Sequence, residues 1–380
     1  MNPRSLLDNY KNVGRSNKID AMRGIAAISV VIMHSSEVAQ RFVYGDGYPL
    51  LKFFTTIDIG RIGVVVFFLI SGFLIPSSLG EKSKGGGIRF WIRRFFRLYP
   101  TYWVSILASL CGVWIFLGES VPIRDAFANI LMFQEYLGFQ SIAGLYWTLH
   151  VELVFYVCVF ILYQYGLNLK RSALSFCVVF LFFVSVVILV WLGSLLKVIE
   201  KGDDFHRLGM TCFHLAIMFF GALFRNVIES GEIPSIRSFQ GLTLFSVPVI
   251  FAAVFLITIG IIVLRSSDPS QHDILRLGLS YPIAMAIFIM IILSRTQFEH
   301  PLLPYLGKVS YSLYLFHPSI IYPVAVISGS LGIGNHLSPA IGGPMIILTA
   351  TFTSIAAAVI MYHSVEAPST SLARKFHMNN

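Results

Sequence analysis

Hydrophobic runs separated by short polar segments repeat along the whole chain. About ten of these runs are long enough to cross a bilayer as a helix of about 20 residues. The pattern therefore predicts an all-α, polytopic membrane protein in which the helices form one bundle. The predicted spans cover approximately 20–37, 60–79, 96–117, 145–165, 173–196, 210–228, 241–264, 278–294, 305–327 and 343–363.

One polar connection, 118–144, contains an apolar run that is too short to span a bilayer. This run extends from Ala126 to Phe133. Because lipid-exposed backbone must satisfy its own hydrogen bonds, such a run predicts an interfacial or re-entrant helix.

Composition and charge agree with membrane insertion and orient the chain. Of the 380 residues, 56% are hydrophobic and only 12% are charged, unlike an average soluble protein. The net charge of +9 is carried mainly by Lys and Arg in segments on the side of the N-terminus, which predicts that both termini are cytoplasmic. No basic stripe lies outside the spans, so nucleic acid is not an expected partner. We predict a cytoplasmic N-terminal segment 1–18, a membrane domain 19–368 and a cytoplasmic C-terminal tail 369–380.

The first predicted span carries two ionisable residues. His34 follows Arg23 by three helical turns plus about 20°, which places both on one face, about 16 Å apart along the axis. Ionisable groups at membrane depth usually face a polar interior, so this face is expected to line a functional cavity. In the alternative interpretation Arg23 is a cytoplasmic flank and His34 only hydrogen-bonds a neighbouring helix.

Four arginines lie between the second and third spans. Arg94 and Arg97 are three residues apart and share a helical face, and Arg93 lies one turn from both Arg89 and Arg97. Clustered guanidiniums are suited to binding phosphates. The alternative is a basic flank that contacts anionic lipid headgroups.

The fourth span begins with polar and aromatic residues, among them Tyr146 and Trp147. Glu152 follows, about 10 Å below the outer helix end, where a carboxylate needs a partner or a proton. His34 is expected at a similar depth. His150 lies 200° from Glu152 around the helix, which favours a packing role.

Three other segments contain polar residues at informative positions. Ser310, Tyr314 and His317 follow one helical face in the ninth span. The Ser71-Gly72 pair in the second span predicts close backbone packing. The Glu366-Ala-Pro sequence predicts the end of the last helix near the cytoplasmic surface. The chain contains no phosphate-binding Gly-rich loop, serine-esterase elbow or zinc-protease motif, and no cluster with metal-ligand spacing, so no metal is expected.

Together these motifs resemble the acyltransferase-3 family of bacterial membrane enzymes over about residues 17 to 370. The shared motifs occur in the family's order: Arg23 with His34 after ten intervening residues; Gly63-Val-x3-Phe-x-Ile-Ser71-Gly-Phe-Leu; Phe90-x2-Arg93-Arg94-x2-Arg97-Leu-Tyr-Pro100; Trp147-Thr-Leu-x-Val-Glu152; Gly307-x2-Ser310-Tyr-Ser-Leu-Tyr-Leu-x-His317; and Val365-Glu366-x-Pro.

The resemblance implies a function. It implies a multi-pass bacterial inner-membrane enzyme that transfers an acyl group, usually acetyl from acetyl-CoA, to an extracytoplasmic carbohydrate such as O-antigen, exopolysaccharide, capsule or a signalling oligosaccharide. His34, Arg23 and Glu152 are the expected catalytic residues, and Arg93, Arg94 and Arg97 the expected donor-binding residues. The substrate-binding candidates are Tyr146, Trp147, Ser310, Tyr314 and His317.

The sequence departs from the family pattern in two respects, and it is also compatible with two other functions. The family often continues the Glu152 motif with a second acid and Gln, where this chain has Leu153 and Val154. Some members carry a fused esterase-like domain, whereas this sequence stops at Asn380. The alternative functions are a transporter or flippase of a lipid-linked sugar, and acylation of a small molecule.

Overall fold

The computed structural model describes residues 17–45, 57–80, 83, 85–118, 120–192, 202–229, 271–294 and 300–375. Within these ranges the chain is helical and contains no strand, as the hydrophobic pattern predicts. The helices are α1 (Asn17–Ala39), α2 (Ile59–Leu79), α3 (Gly86–Gly112), α4 (Ile123–Asn129), α5 (Trp147–Gln164), α6 (Arg171–Val186), α7 (Gly202–Glu229), α8 (Gln271–Leu293), α9 (Leu302–Lys308), α10 (Ser310–Ser330), α11 (Ile333–His336), α12 (Pro339–Met361) and α13 (Ala367–Lys375).

Eight helices of the described ranges are long and apolar enough to cross a membrane. They match eight of the predicted spans, and they identify the chain as a multi-pass membrane protein. The predicted span 278–294 corresponds to a shorter apolar helix, Gly278–Leu293. The predicted span 241–264 lies outside the described residues.

Several long helices change pitch near one end. Short π-helical turns extend α1, α3 and α6, and another joins α12 to α13 without a break. The last apolar helix therefore continues from Pro339 to Lys375. The predicted helix end at Glu366-Ala-Pro was wrong, because the π-helical turn Tyr362–Glu366 carries the helix past Glu366 and Pro368 is the second residue of α13.

The chain divides into two compact units. The terminal unit consists of the described parts of Asn17–Val64, Gly87–His150 and Ile291–Asn380, and the central unit of the described parts of Val65–Gly86 and Val151–Met290. Each unit is described below by itself.

In the terminal unit, α1 packs against α9, α10 and α12. Glycines make this packing close. A Cβ atom added to Gly24 would lie 2.8 Å from the carbonyl oxygen of Leu303, and one on Gly307 would collide with the backbone of Asp20. Small residues allow helix backbones in membranes to approach this closely. Residues of α1 therefore lie beside the start of α10.

In the central unit, α6 packs along α7, and α2 contacts α7 through glycines. A Cβ atom on Gly72 would collide with the backbone of Met218, and one on Gly221 would collide with the carbonyl of Leu69. The predicted packing role of the Ser71-Gly72 pair is therefore seen at Gly72. The side chain of Ser71 has a different role, described below.

The segment 118–144 forms a short helix, but earlier than predicted. Helix α4 covers Ile123–Asn129, and a 3₁₀ turn covers Gln134–Leu137. The buried Asn129 side chain donates hydrogen bonds to the carbonyls of Asp125 and Gln140 and accepts one from the N–H of Ile142. Such side-chain bonds compete with the helical pattern. Asn129 thereby ends α4 and holds the returning chain.

Candidate functional site

Arg23 and His34 lie on the single helix α1, as predicted. Buried residues flank both, namely Met22 and Gly24 beside Arg23, and Met33 and Ser35 beside His34. Arg23 and His34 themselves remain partly exposed. The uninterrupted helix and this partial exposure fit the expectation that both side chains reach an accessible space.

A carboxylate and a second imidazole surround His34 in the terminal unit. Glu37 Oε2 lies 3.4 Å from His34 Nδ1, and the two side chains are 45% and 42% exposed. The ring of His317 packs against His34 with its centroid 5.3 Å away. His34 therefore combines an acidic neighbour with an aromatic contact while part of its surface stays accessible.

His317 is almost completely buried, at 1% exposure. Its Nδ1 lies 2.7 Å from the carbonyl oxygen of Tyr314. A carbonyl only accepts hydrogen bonds, so Nδ1 carries the proton and Nε2 is the basic nitrogen of the neutral ring. The structure thus brings together two histidines that lie far apart in the sequence, which the spacing of motifs alone does not reveal.

The other two residues on the predicted face of α10 are buried and hydrogen-bonded within the protein. The Ser310 hydroxyl donates to the carbonyl of Gly307, at 2.8 Å. The Tyr314 hydroxyl lies 3.0 Å from Thr148 Oγ1. Ser310 therefore caps the preceding turn, and Tyr314 links α10 to α5.

The substrate-binding candidates at the start of α5 differ in exposure. Tyr146 is fully buried, and its hydroxyl lies 3.1 Å from Ser105 Oγ. Trp147 is partly exposed. His150 is buried and meets the ring of Tyr136 edge to face at 4.9 Å, in agreement with a packing role.

The arginine cluster lies on α3 and divides by exposure. Arg93 is exposed, whereas Arg94 and Arg97 are partly buried. The guanidinium of Arg94 stacks over the ring of Phe90, 5.3 Å from its centroid. Guanidiniums held in this way are well suited to bind phosphate oxygens.

Glu366 does not lie where the Glu366-Ala-Pro sequence predicts it. It is 4% exposed rather than at a helix end on the surface. Its Oε2 accepts a 2.6 Å hydrogen bond from the hydroxyl of Ser312, and Arg97 and Arg23 interact with its carboxylate electrostatically. The available signal was its place in the Val365-Glu366-x-Pro motif.

Glu152 belongs to the central unit. Its Oε1 accepts hydrogen bonds from the hydroxyl of Tyr156, at 2.6 Å, and from that of Ser71, at 3.2 Å. These donors supply the partner that a carboxylate within an apolar helix requires. The sequence pattern predicted the need for a partner. The i,i+4 spacing was an available signal for Tyr156, whereas only the tertiary structure identifies Ser71.

Among the residues that the structure describes, no group of three His, Cys, Asp or Glu side chains is arranged to hold a metal ion. The polar residues of the terminal unit are instead imidazoles, guanidiniums, carboxylates and hydroxyls. Such groups can take up a proton, bind phosphate and stabilise negative charge.

Comparison with known proteins gives consistent similarities. A family model described as an acyltransferase domain (Acyl_transf_3) matches residues 16–363. A putative acetyltransferase, ORF330 of Acidianus two-tailed virus, is 20% identical over 83% of this chain and 86% of its own length. No solved structure gives a significant match.

Two further relatives carry more specific names. The putative peptidoglycan O-acetyltransferase YrhL of Bacillus subtilis is 25% identical over 92% of this chain, which covers 54% of YrhL. The O-acetyl transferase of Shigella phage Sf6 is 27% identical over 59% of this chain and 66% of its own length. The chain thus covers most of the length of ORF330 but only about half of the length of YrhL.

Proposed function

Because the chain belongs to the acyltransferase-3 family and is an O-acyltransferase of the membrane, we propose that it transfers acetyl from cytoplasmic acetyl-CoA to a hydroxyl of an extracytoplasmic glycan. The observation that carries this proposal is the placement of Arg23 and the partly exposed His34 on one helix, with Glu37 beside the imidazole. The proposed location is a bacterial inner membrane, with both termini in the cytoplasm.

The donor binds through the arginines of α3. Arg93, Arg94 and Arg97 contact the phosphates of acetyl-CoA, and the thioester extends from there toward His34. The partial burial of Arg94 and Arg97 supports this assignment, since a guanidinium that is less hydrated binds an anion more strongly than one in bulk water. The exposed Arg93 supplies a weaker, more screened contact.

His34 acts as the general base in the proposed reaction. Its Nε2 takes the proton from the acceptor hydroxyl while the oxygen attacks the thioester carbonyl carbon. The carbon–sulfur bond then breaks, and the departing thiolate takes up a proton from the imidazolium. Glu37, at 3.4 Å from Nδ1, stabilises the positive charge on that imidazolium.

A covalent route uses the same atoms. In it, His34 first attacks the thioester and carries the acetyl group until the acceptor hydroxyl displaces it. In either route Arg23 stabilises the negative charge that develops on the carbonyl oxygen or positions the pantetheine arm. Glu152 orients or charge-balances an imidazole or an arginine.

The acceptor is proposed at the level of a carbohydrate hydroxyl. The name of YrhL indicates peptidoglycan for that relative, and the name of the phage Sf6 protein specifies only O-acetyl transfer. The partly exposed Trp147 can stack on a sugar ring. We extend the carbohydrate class, and not a particular polymer, to this chain.

Consumption of acetyl-CoA by the purified protein in nanodiscs tests the proposal. Wild-type protein is expected to release CoA when cell-wall or lipopolysaccharide glycan is added, and His34→Ala is expected to abolish this release. His206→Ala, which changes an exposed histidine of α7, serves as the matched control and retains activity. Wild-type activity in the His34 variant would overturn the assignment of the base.

Direct binding tests the donor site. Replacing Arg94 and Arg97 with Ala is expected to weaken acetyl-CoA binding, whereas Arg124→Ala is not, because the side chain of Arg124 is 79% exposed in another segment. An unchanged affinity for acetyl-CoA in the double variant would indicate that the α3 arginines contact lipid headgroups instead. Wild-type protein that neither binds nor consumes acetyl-CoA would favour a conduit for a lipid-linked sugar.

A further inference from the structure

Glu366 is a buried acid with a defined position that the reaction above does not use. It occupies the last residue of the π-helical turn Tyr362–Glu366, between α12 and α13. Such turns frequently occur at functional sites. A carboxylate with 4% exposure is costly to bury unless hydrogen bonds and opposite charges compensate for the lost water.

The start of α10 supplies the hydrogen bond and aligns the neighbouring helices. The hydroxyl of Ser312 donates to Glu366 Oε2 at 2.6 Å. The hydroxyl of the adjacent Tyr311 donates to the carbonyl of Leu98 at 2.8 Å, and Leu98 directly follows Arg97. One turn of α10 is therefore hydrogen-bonded both to Glu366 and to the helix that carries Arg97.

The helix of Arg23 is held at the same place. A Cβ atom on Gly24 would lie 3.0 Å from the backbone nitrogen of Gly307, which lies near the end of α9, three residues before α10 begins. Three parts of the chain that are distant in sequence, carrying Arg23, Arg97 and Glu366, thus converge on the segment from Gly307 to Ser312. This arrangement explains why both guanidiniums act electrostatically on Glu366.

The carboxylate of Glu366 interacts electrostatically with two guanidiniums, those of Arg97 and Arg23. A carboxylate can restrain the orientation of a neighbouring guanidinium, and a guanidinium fixed in this way is suited to bind a phosphate.

We propose that Glu366 is a positioning residue that holds Arg97 in the orientation that receives the phosphate groups of the acyl donor, with Arg23 as a second cation beside the carboxylate. This inference rests on the proposed use of acetyl-CoA. Glu366 does not touch the reacting atoms. It acts through the arginines, and Ser312 fixes its carboxylate by the hydrogen bond to Oε2.

Donor analogues separate this role from a general structural one. Kinetics are measured for Glu366→Gln with acetyl-CoA and with acetyl-pantetheine, which lacks phosphates. The KM for acetyl-CoA is expected to rise about 10- to 100-fold, the range expected when a misoriented Arg97 loses one charged hydrogen bond to a phosphate, while the KM for acetyl-pantetheine stays the same. Binding of CoA itself, measured by calorimetry, is expected to weaken by the same factor.

Two serine variants on α10 provide a matched pair. Ser312→Ala removes the donor to Glu366 and is expected to raise the KM for acetyl-CoA in the same selective way, to a smaller extent. Ser328→Ala removes a buried hydroxyl of the same helix that donates to the carbonyl of Val324 instead, and it is expected to leave the ratio of the two KM values unchanged.

Each outcome decides the inference. Equal KM values for wild type and Glu366→Gln, or an equal rise for both donors, would overturn it. If Glu366→Gln does not fold, Ser312→Ala decides, and an unchanged KM ratio in that variant would overturn the inference. Wild-type protein that neither binds nor consumes acetyl-CoA would overturn the proposed function and this inference together. An active wild-type protein whose variants show no selective rise in the KM for acetyl-CoA would overturn the inference alone.

Discussion

The close contact between α1 and α9 is open to a sharp test at Gly24. In Gly24→Ala the new Cβ would lie 2.8 Å from the carbonyl oxygen of Leu303 and 3.0 Å from the backbone nitrogen of Gly307. An ordinary carbon–oxygen contact is about 3.3–3.6 Å, so the helices must separate by about 0.5 Å. Because the atoms opposite are backbone, no side-chain rotation relieves the clash.

The magnitude follows from two opposing terms. Overpacking costs about 1–3 kcal/mol. Replacing a helical glycine with alanine contributes about 0.8–1 kcal/mol of helix propensity in the other direction. Gly112→Ala in α3 isolates the packing cost, since the nearest atom to its new Cβ is Ser319 Cα at 4.0 Å and only the propensity gain applies. We expect the two variants to differ by about 1–3 kcal/mol in unfolding free energy.

Both stability and activity are expected to depend on the contact between α1 and α9. Thermal unfolding in one detergent is expected to show a lower midpoint for Gly24→Ala and an equal or higher midpoint for Gly112→Ala. Because Arg23 is the preceding residue and a 1 Å misplacement costs about 100-fold in rate, a 0.5 Å shift is expected to lower turnover about tenfold. Equal midpoints and equal turnover in the two variants would refute the packing argument.

Two further substitutions test the hydrogen bonds of buried polar side chains. Asn129→Ala removes three hydrogen bonds of about 1 kcal/mol each, so limited proteolysis within 118–144 is expected to accelerate. Asn335→Ala, at an exposed position, is the control and is expected to leave the cleavage rate unchanged. Equal cleavage rates in the two variants would contradict the role of Asn129 in holding this segment. Tyr156→Phe removes the 2.6 Å hydrogen bond to Glu152 and is expected to lower the unfolding free energy by about 1.5–3 kcal/mol. Tyr165→Phe, at an exposed position, is the control in thermal unfolding. Identical midpoints in the two variants would show that this hydrogen bond contributes nothing to stability.

The secondary structure was largely predictable from the sequence because its causes are local. A membrane-spanning segment must satisfy its backbone hydrogen bonds internally, so a long apolar run becomes a helix whatever its neighbours are. The same reasoning placed Arg23 and His34 on one helix and Arg94 beside Arg97 on another. The prediction for Glu366 was wrong because a proline two residues later usually ends a helix, whereas here the π-helical turn Tyr362–Glu366 continues the helix into α13.

The residues around each candidate site depended on tertiary packing. His317 lies next to His34, and Ser312 donates to Glu366, only because close helix contacts bring distant segments together. Ser71 became a partner of Glu152 in the same way, whereas Tyr156 lies one helical turn from Glu152 on the same helix. No local pattern encodes the long-range pairs.

The sequence by itself thus determined the membrane-embedded helical class, the positions of the long helices that the structure describes, the family and the set of candidate polar residues, because hydropathy and helical periodicity act over a few turns. The tertiary structure alone decided which imidazole, carboxylate and hydroxyl meet, and that Glu366 lies inside rather than at the surface. The physical reason is that those contacts depend on which helix faces pack together, and in this chain backbone contacts at glycines such as Gly24 and Gly307 set that packing.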